Sequence, residues 1–251
     1  AIQTMKTHPH ANDSRPAAPA RRISRRQFMG GVAISAAAFQ VVPGYVLGLN
    51  GATPPSGKLN IAGVGVSGQG GHDITQFPDH NIVALCDVDD VYAAKAYAAY
   101  PQAKRYRDFR DMLATQNDID AVIIGTPDHW HCLMMVDALA AGKHVYVEKP
   151  LANSIPEANI MLAAAKKSNK MVQVGQWQRS GGHYEQALDM VRSGKLGNIR
   201  LVKVWAYQGW MKPVPVQPDS APPAGVDYDM WLGPAPKRPF NPNRFKYNSI
   251  M

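Results

Sequence analysis

The chain has 251 residues, 45% of them hydrophobic, and a formal net charge of +8, enough for one large buried core or for one domain and part of another. The charge is uneven: residues 1–57 carry six basic side chains against one acidic, a net of +5, while residues 58–251 carry 21 basic and 18 acidic, a net of only +3. The basic excess therefore belongs mostly to the leader, which argues against nucleic-acid binding by the globular part.

Taken in chain order, Arg21 to Arg26 form a charged region and Gly31 to Leu49 a run of small and apolar residues, followed by loop composition in GATPPSG. Gln40, Pro43 and Gly44 interrupt the apolar run, so it makes a poor membrane-spanning helix, which takes roughly 20 consecutive apolar residues. SRRQFM resembles the twin-arginine export signal, with Ser24, Arg25, Arg26 and Phe28 in matching places. That resemblance implies recognition by the twin-arginine machinery, export of an already folded protein with its cofactor inside, and a periplasmic or secreted location. The competing reading of residues 1–57 is a basic tail and a packed helix.

From Lys58 the pattern becomes an alternation of strand and helix. KLNIAGVG (58–65) and NIVALCDVD (81–89) are short apolar runs that frame one βαβ unit, and DVYAAKAYAAY (90–100) is alanine-rich and helical. AVIIGTP (121–127) is a third strand, HCLMMVDALAAGKH (131–144) a helix closed by Gly142, HVYVEKP (144–150) a fourth strand, residues 156–167 a helix, and KMVQVGQ (170–176) a further strand. Apolar strands alternating with helices predict an α/β fold, a doubly wound parallel sheet covered on both faces. IRLVKVWAYQGW (199–210) has strand character, with Trp205 and Tyr207 alternating with Val204 and Ala206, and a proline-rich loop follows it. The predicted organisation is a leader and linker over 1–57, a Rossmann domain over 58–176, and the beginning of a substrate domain over 177–251. Cys86 and Cys132 lie in apolar stretches and lack both disulfide-framework and zinc-site spacing, so they read as buried small side chains.

Gly63, Gly65 and Gly68 have GxGxxG spacing after a strand and before a helix, and Asp87 stands nineteen residues beyond Gly68 at the end of the next strand. In that context the first glycine permits a tight turn, the second a close approach of backbone to a pyrophosphate, and the third close packing of helix on strand. The helix N-terminus offers unpaired N–H groups to the phosphates. Asp87 can accept hydrogen bonds from the adenosine ribose, a placement that favours NAD over NADP. Ser67 and Gln69 stand nearby and leave NADP open.

TPDHWH (126–131) follows a strand, where ligands bind in open parallel sheets, so Thr126, Pro127, Trp130 and His131 are candidate cofactor contacts. His129 and His131 lack a third ligand at supporting spacing, which ranks metal below cofactor contact; Trp130 reads equally as a packed loop aromatic. Glu148 and Lys149 in GKHVYVEKP stand at another strand end, with Pro150 fixing the chain direction and able to do so through a cis bond. Lys149 is the leading catalytic candidate, because a lysine there can hydrogen-bond a substrate hydroxyl and steady charge as hydride leaves the same carbon. The alternative is a surface ion pair with Glu148. Gln176, Gln178 and Arg179 follow a strand end and read as substrate-facing or simply solvated.

GVGVSG with ALCDVD, then TPDHWH, AGKHVYVEKP and VGQWQRSG, resemble in order the glucose-fructose oxidoreductase and inositol dehydrogenase family, Gfo/Idh/MocA. WLGPAPKRPFNPNRF (231–245) resembles its exported sugar-modifying branch. The resemblance implies a Rossmann domain followed by a domain with a large open, mainly antiparallel sheet, sugar or cyclitol substrates, and a homo-oligomer at full length. It further implies that Lys149 is the catalytic lysine, that Glu148 contacts cofactor and that His131 positions cofactor or substrate. Family members extend well beyond this chain and supply an aspartate and a histidine from the second sheet, so the sequence reads as an incomplete gene product. Three functions follow as expectations. The first is an exported NAD(P)-dependent oxidoreductase. The second is a glycoside-cleaving enzyme that oxidises its sugar transiently with tightly held NAD. The third is a non-catalytic sugar-binding protein on the same fold.

Overall fold

The computed structural model describes residues 53–206 and 215–245; residues 1–52, 207–214 and 246–251, with the twin-arginine reading and the last part of the strand expected at 199–210, lie outside them. Strand β1 (Asn60–Val64) is buried from Ile61 onward, so it has no solvent face and must sit inside a sheet. It does: the sheet has six parallel strands in the order β3-β2-β1-β4-β5-β6, with β2 at Asn81–Cys86, β3 at Lys104–Tyr106, β4 at Ala121–Ile124, β5 at His144–Val147 and β6 at Val172–Val174. This is the doubly wound arrangement that the alternation predicts, with its topological switch beside β1.

Successive strand residues point to opposite faces, and the core divides accordingly. Ala62, Val64, Val122, Ile124, Val145 and Val147 face helices α3 (Phe109–Thr115), α4 (His131–Ala140) and α5 (Ile155–Ser168), where Met112, Met135 and Met161 fill the space. Ile61, Leu85 and Ile123 face α1 (Gly68–Ile74) and α2 (Ala94–Ala99), against Val66, Ile74 and Tyr97. In β2 the alternation slips: Ile82 and Leu85 share one face while Ala84 and Cys86 share the other, because the register shifts opposite Ile61 and Ala62. Helix α5 starts with a reciprocal capping box, Ser154 accepting from the Glu157 amide while the Glu157 carboxylate accepts from the Ser154 amide. Both cysteines are buried and free, as the sequence reading expects.

Two elements escape a reading based on apolar runs. β3 is a short, largely exposed edge strand spelled KRY, and α3 follows it behind the cap Asp108, which accepts from the Arg110 amide. Beyond β6 come α6 (Gly182–Arg192), α7 (Tyr228–Leu232) and α8 (Pro242–Phe245). Residues 199–206, expected to begin a strand, are exposed and belong to no ladder among the described residues.

The tightest packing is backbone on backbone. A Cβ added at Gly70 in α1 would overlap the Gly65 carbonyl oxygen and lie 3.1 Å from the Gly125 Cα, and one added at Gly125 would overlap the Gly70 Cα. Gly182, by contrast, opens α6 with nothing within 4 Å of such a Cβ. Gly125→Ala is therefore expected to lower stability by at least about 2 kcal/mol in chemical denaturation, since backbone cannot yield as a side chain can, while Gly182→Ala leaves it unchanged or slightly higher.

Candidate cofactor and active site

Four strands, β1, β4, β5 and β6, are each extended by one backbone bond into the residue that follows. The Gly65 amide donates to the Cys86 carbonyl and the Gly125 amide to that of Val64, both at 2.8 Å; the Glu148 amide donates to Ile124 at 2.9 Å, and that of Gly175 to Val147 at 2.8 Å. The loops after β1, β4 and β5 are thus each tied to a neighbouring strand end, and together with the loop after β2 they line a single cleft of about 990 Å³ at the carboxyl edge of the sheet, within the range of small-molecule and cofactor sites.

The turn after β1 runs through Gly65 and Gly68 with φ of 72° and 51°, where side chains are disfavoured. A Cβ on Gly65 would also stand 2.8 Å from the Thr126 amide nitrogen. Ser67 precedes α1 without capping it; its hydroxyl donates to the Asp87 carboxylate at 3.2 Å. The first amides of α1 consequently lack a side-chain acceptor and carry the partial positive charge of the helix end. Asp87 also accepts from the Val66 amide at 2.9 Å and the Asp89 amide at 3.1 Å. Burial pushes its carboxyl upward while these donors pull it back.

Gly65, Ser67, Gly68, Gln69, Asp87, Thr126, Pro127, Trp130, Glu148 and Lys149 all line this one cleft. Two expected site residues do not. Gly63 lies inside β1, where a Cβ would come within 2.5 Å of the Ile74 Cδ1, so it makes room for α1 and forms no turn. The close helix-to-strand approach assigned to the third glycine belongs instead to Gly70 against Gly125; Gly68 contributes its positive φ. His131 is only 1% exposed, with Nδ1 and Nε2 each 2.8 Å from a carbonyl oxygen, those of Pro150 and Thr126. It ties the β4 and β5 loops together from beneath, and its ring nitrogens face backbone, not the cleft.

Trp130 is 7% exposed, packs edge-on to Phe109 and donates from Nε1 to the carbonyls of Met230 and Trp231 at 3.0 and 3.1 Å. Of its two sequence readings, the packed aromatic is the stronger. Glu148, 3% exposed, accepts from the Tyr146 hydroxyl at 3.1 Å and from the Lys149 amide at 3.0 Å. Lys149 is exposed toward the cleft and in no ion pair among the described residues, and the Lys149–Pro150 bond is cis. No cluster of three metal-ligating side chains occurs among the described residues.

Asp73, which no sequence motif marks, sits behind Gln69. It is 7% exposed; Oδ1 accepts from the side-chain Nε2 of Gln69 at 2.7 Å, and Oδ2 has no partner among the described residues. Burial raises its pKa, the Gln69 bond opposes the rise, and the negative charge of Glu148 adds to it. Burial, Asp73 and Glu148 together also push the Tyr146 phenol upward.

A family model described as "Oxidoreductase family, NAD-binding Rossmann fold" matches residues 58–176. Inositol 2-dehydrogenase of Salmonella typhimurium is 34% identical over 123 residues, 48% of this chain and 36% of that protein. Glycosyl hydrolase family 109 protein 2 of a Shewanella species is 30% identical over 152 residues, 57% of this chain and 33% of that protein. Among solved structures, scyllo-inositol dehydrogenase from Lactobacillus casei with bound NAD(H) and scyllo-inositol is 28% identical, with a TM-score of 0.52 over 56% of this chain and 43% of the other. The match thus spans between a third and a half of the length of each of these proteins.

The Asp73 environment carries a pH signature. Its folded-state pKa lies above the unfolded value near 3.8, so folding retains a proton that the unfolded chain loses. This contribution is full below about pH 4 and is lost as pH rises through the elevated folded value. In pH-dependent urea denaturation, Asp73→Asn is expected to match the native chain's stability trend below pH 4 and to decline less steeply above it. Parallel curves across the whole range would contradict a buried carboxyl here.

Proposed function

Residues 58–176 belong to the Gfo/Idh/MocA oxidoreductase family, and from that membership we propose that this chain is the cofactor-binding part of an NAD-dependent oxidoreductase acting on a cyclitol, sugar or derivative. The observation that carries the reading is the single cleft, which has the phosphate cradle of Gly65 and Gly68 at its centre, the carboxylate of Asp87 on one side and Lys149 on the other. The cradle fits a dinucleotide: positive-φ glycines let backbone approach, the uncapped α1 amides face phosphate, and Asp87 keeps acceptor capacity for ribose hydroxyls. A carboxylate at that place repels a 2′-phosphate, which supports NAD over NADP. The named relatives include two inositol dehydrogenases, one holding NAD(H) and scyllo-inositol, and they supply the substrate class.

When bound, the nicotinamide supplies the hydride acceptor or donor; the remaining work falls to the chain. In the oxidising direction a substrate hydroxyl loses its proton as the hydride leaves the same carbon. Lys149 donates a hydrogen bond to that oxygen and steadies the charge gathering on it, while the hydroxyl proton passes to solvent water in the open cleft and returns from it in the reverse direction. Glu148 fixes the lysine backbone through its amide and is itself held by Tyr146. His131 joins the loops carrying Thr126 and Pro150, so it acts as a positioning residue for both walls.

The twin-arginine resemblance of Ser24, Arg25, Arg26 and Phe28 supports an exported, periplasmic or secreted enzyme that leaves the cytoplasm folded with its nucleotide; these residues lie outside the described part of the chain. A second reading, redox-assisted glycoside cleavage with NAD reduced and reoxidised in each turnover, is favoured by the glycosyl hydrolase relative. Both readings expect stoichiometric NAD(H) to be released when the purified protein is denatured. Asp87→Ala is expected to weaken NAD⁺ binding roughly tenfold to a hundredfold in calorimetric titration, the loss of charge-assisted hydrogen bonds. Lys149→Ala is expected to cut turnover on a cyclitol and sugar panel at least about a hundredfold while NAD⁺ affinity stays within about twofold. Unchanged turnover in the lysine variant would remove the mechanism.

A further inference from the structure

The segment 215–245 crosses the mouth of the cleft and is pinned at two places. At the β2 end, the Asp90 amide donates to the Gly225 carbonyl at 3.3 Å, the Asp227 amide donates to the Val88 carbonyl at 2.9 Å, and Asp89 and Val226 form an antiparallel bridge. Arg107, after β3, reinforces this pin by donating to the Gly225 carbonyl at 3.2 Å. At the β4 end, the Trp130 indole holds the Met230 carbonyl, and His129 Nε2 lies 2.9 Å from the Trp231 carbonyl oxygen. Gly233, with φ of 48°, turns the chain away beneath Trp130, and a Cβ there would overlap the indole.

In strand order these pins fall on β2 and β4, the two neighbours of β1. The segment therefore spans the half of the cleft that contains the cradle and Asp87. The β5 end, with Lys149, has no hydrogen bond to it among the described residues. The segment brings apolar groups to the cleft wall, Val226 at the first pin, Met230 at the second, and Phe240 and Phe245 beyond it. Tyr228 and Trp231 back them in an aromatic cluster, with ring centroids 5.4 Å apart for Trp231 and Phe245 and 5.2 Å for Tyr228 and Phe240.

We propose that residues 220–245 form the outer wall of an adenosine subsite, a strap that encloses the adenosine half of a dinucleotide and leaves its nicotinamide half open to substrate. The inference rests on the NAD reading of the cradle and adds the wall that covers the adenosine half. Asp87 orients the ribose on the β2 side, so the attached adenine, with its flat apolar faces, lies between the strand ends and the strap. A ligand bound there is covered on its outer side, and the strap's contribution appears chiefly in the dissociation rate.

The test compares NAD⁺ with ADP-ribose, which contains the adenosine half but no nicotinamide, on the unmodified chain and on Val226→Ala, Phe245→Ala and Asp87→Ala. Val226→Ala and Phe245→Ala are each expected to weaken both ligands by the same factor, about fivefold, with faster NAD⁺ release in stopped flow. Loss of NAD⁺ affinity with ADP-ribose unchanged would put the strap over the nicotinamide half, and unchanged affinity for both would remove its contact altogether; either result overturns the proposal. Should Asp87→Ala weaken ADP-ribose while neither strap variant does, the NAD reading stands and the strap alone fails. Should the unmodified chain bind neither ligand, both fall. Hydrogen exchange on the unmodified chain answers the same question if a variant misfolds: ADP-ribose is expected to slow exchange of the Asp90, Val226 and Asp227 amides, and an unchanged rate counts against the strap.

Discussion

The geometry of the cleft depends on one contact, the crossing of α1 over the ends of β1 and β4 at Gly65, Gly70 and Gly125. No side chain intervenes there, so the first turn of the helix lies against strand backbone instead of about a side-chain layer away. That approach brings the α1 amides level with the sheet edge, where the amides of Gly65 and Gly125 are already committed to ladder bonds. The helix end is left as the free donor set of the cleft. Electrostatic attraction at a helix terminus falls off within the first turn, so a looser crossing would move the donors away from the position that matters.

The same edge shows how buried polar groups substitute for covalent connections between loops. His131 joins Thr126 to Pro150, Glu148 joins Tyr146 to the Lys149 amide, and Asp87 gathers Val66, Ser67 and Asp89. Each is a nearly buried group whose desolvation is offset by hydrogen bonds, and each fixes a loop that bears a cleft residue. Asp73 breaks the pattern with an unpartnered oxygen. Its burial destabilises the charged fold, yet Gln69 in the cradle depends on it for orientation.

How far the sequence was legible varies with the physics of each feature. Strands buried on both faces announce themselves as apolar runs, and the GxGxxG turn with Asp87 at the next strand end is a local pattern fixed by backbone geometry. β3 was illegible because an edge strand has little apolar face to show, and α3 because its apolar face, Phe109 and Met112, is confined to a helix of seven residues. The role of Gly70 was hidden because close packing against Gly125 joins residues 55 positions apart. His131 misled for a related reason: it sits in a cleft-side motif, but helix α4 begins at that residue and turns the ring under the loops. Asp73 has no signature at all, since an orphaned carboxylate is defined by what surrounds it. The strand-end residues that share the cleft, from Gly65 and Asp87 to Glu148 and Lys149, were readable from their motifs, while the connection of TPDHWH to WLGPAPKRPF spans a hundred residues and appears only in the folded chain.

That last connection bears on the proposed export. An enzyme working where free nicotinamide nucleotide is scarce must either be resupplied or keep what it left with, and keeping it requires slow release together with chemistry that restores the starting redox state. On the proposed reading the two halves of the cleft separate these demands. The pinned strap acts on the adenosine half and governs retention, while the open β5 side, with Lys149, admits and discharges substrate. Tight holding of the nucleotide then need not slow substrate exchange, because the two ligands use different walls of one cleft.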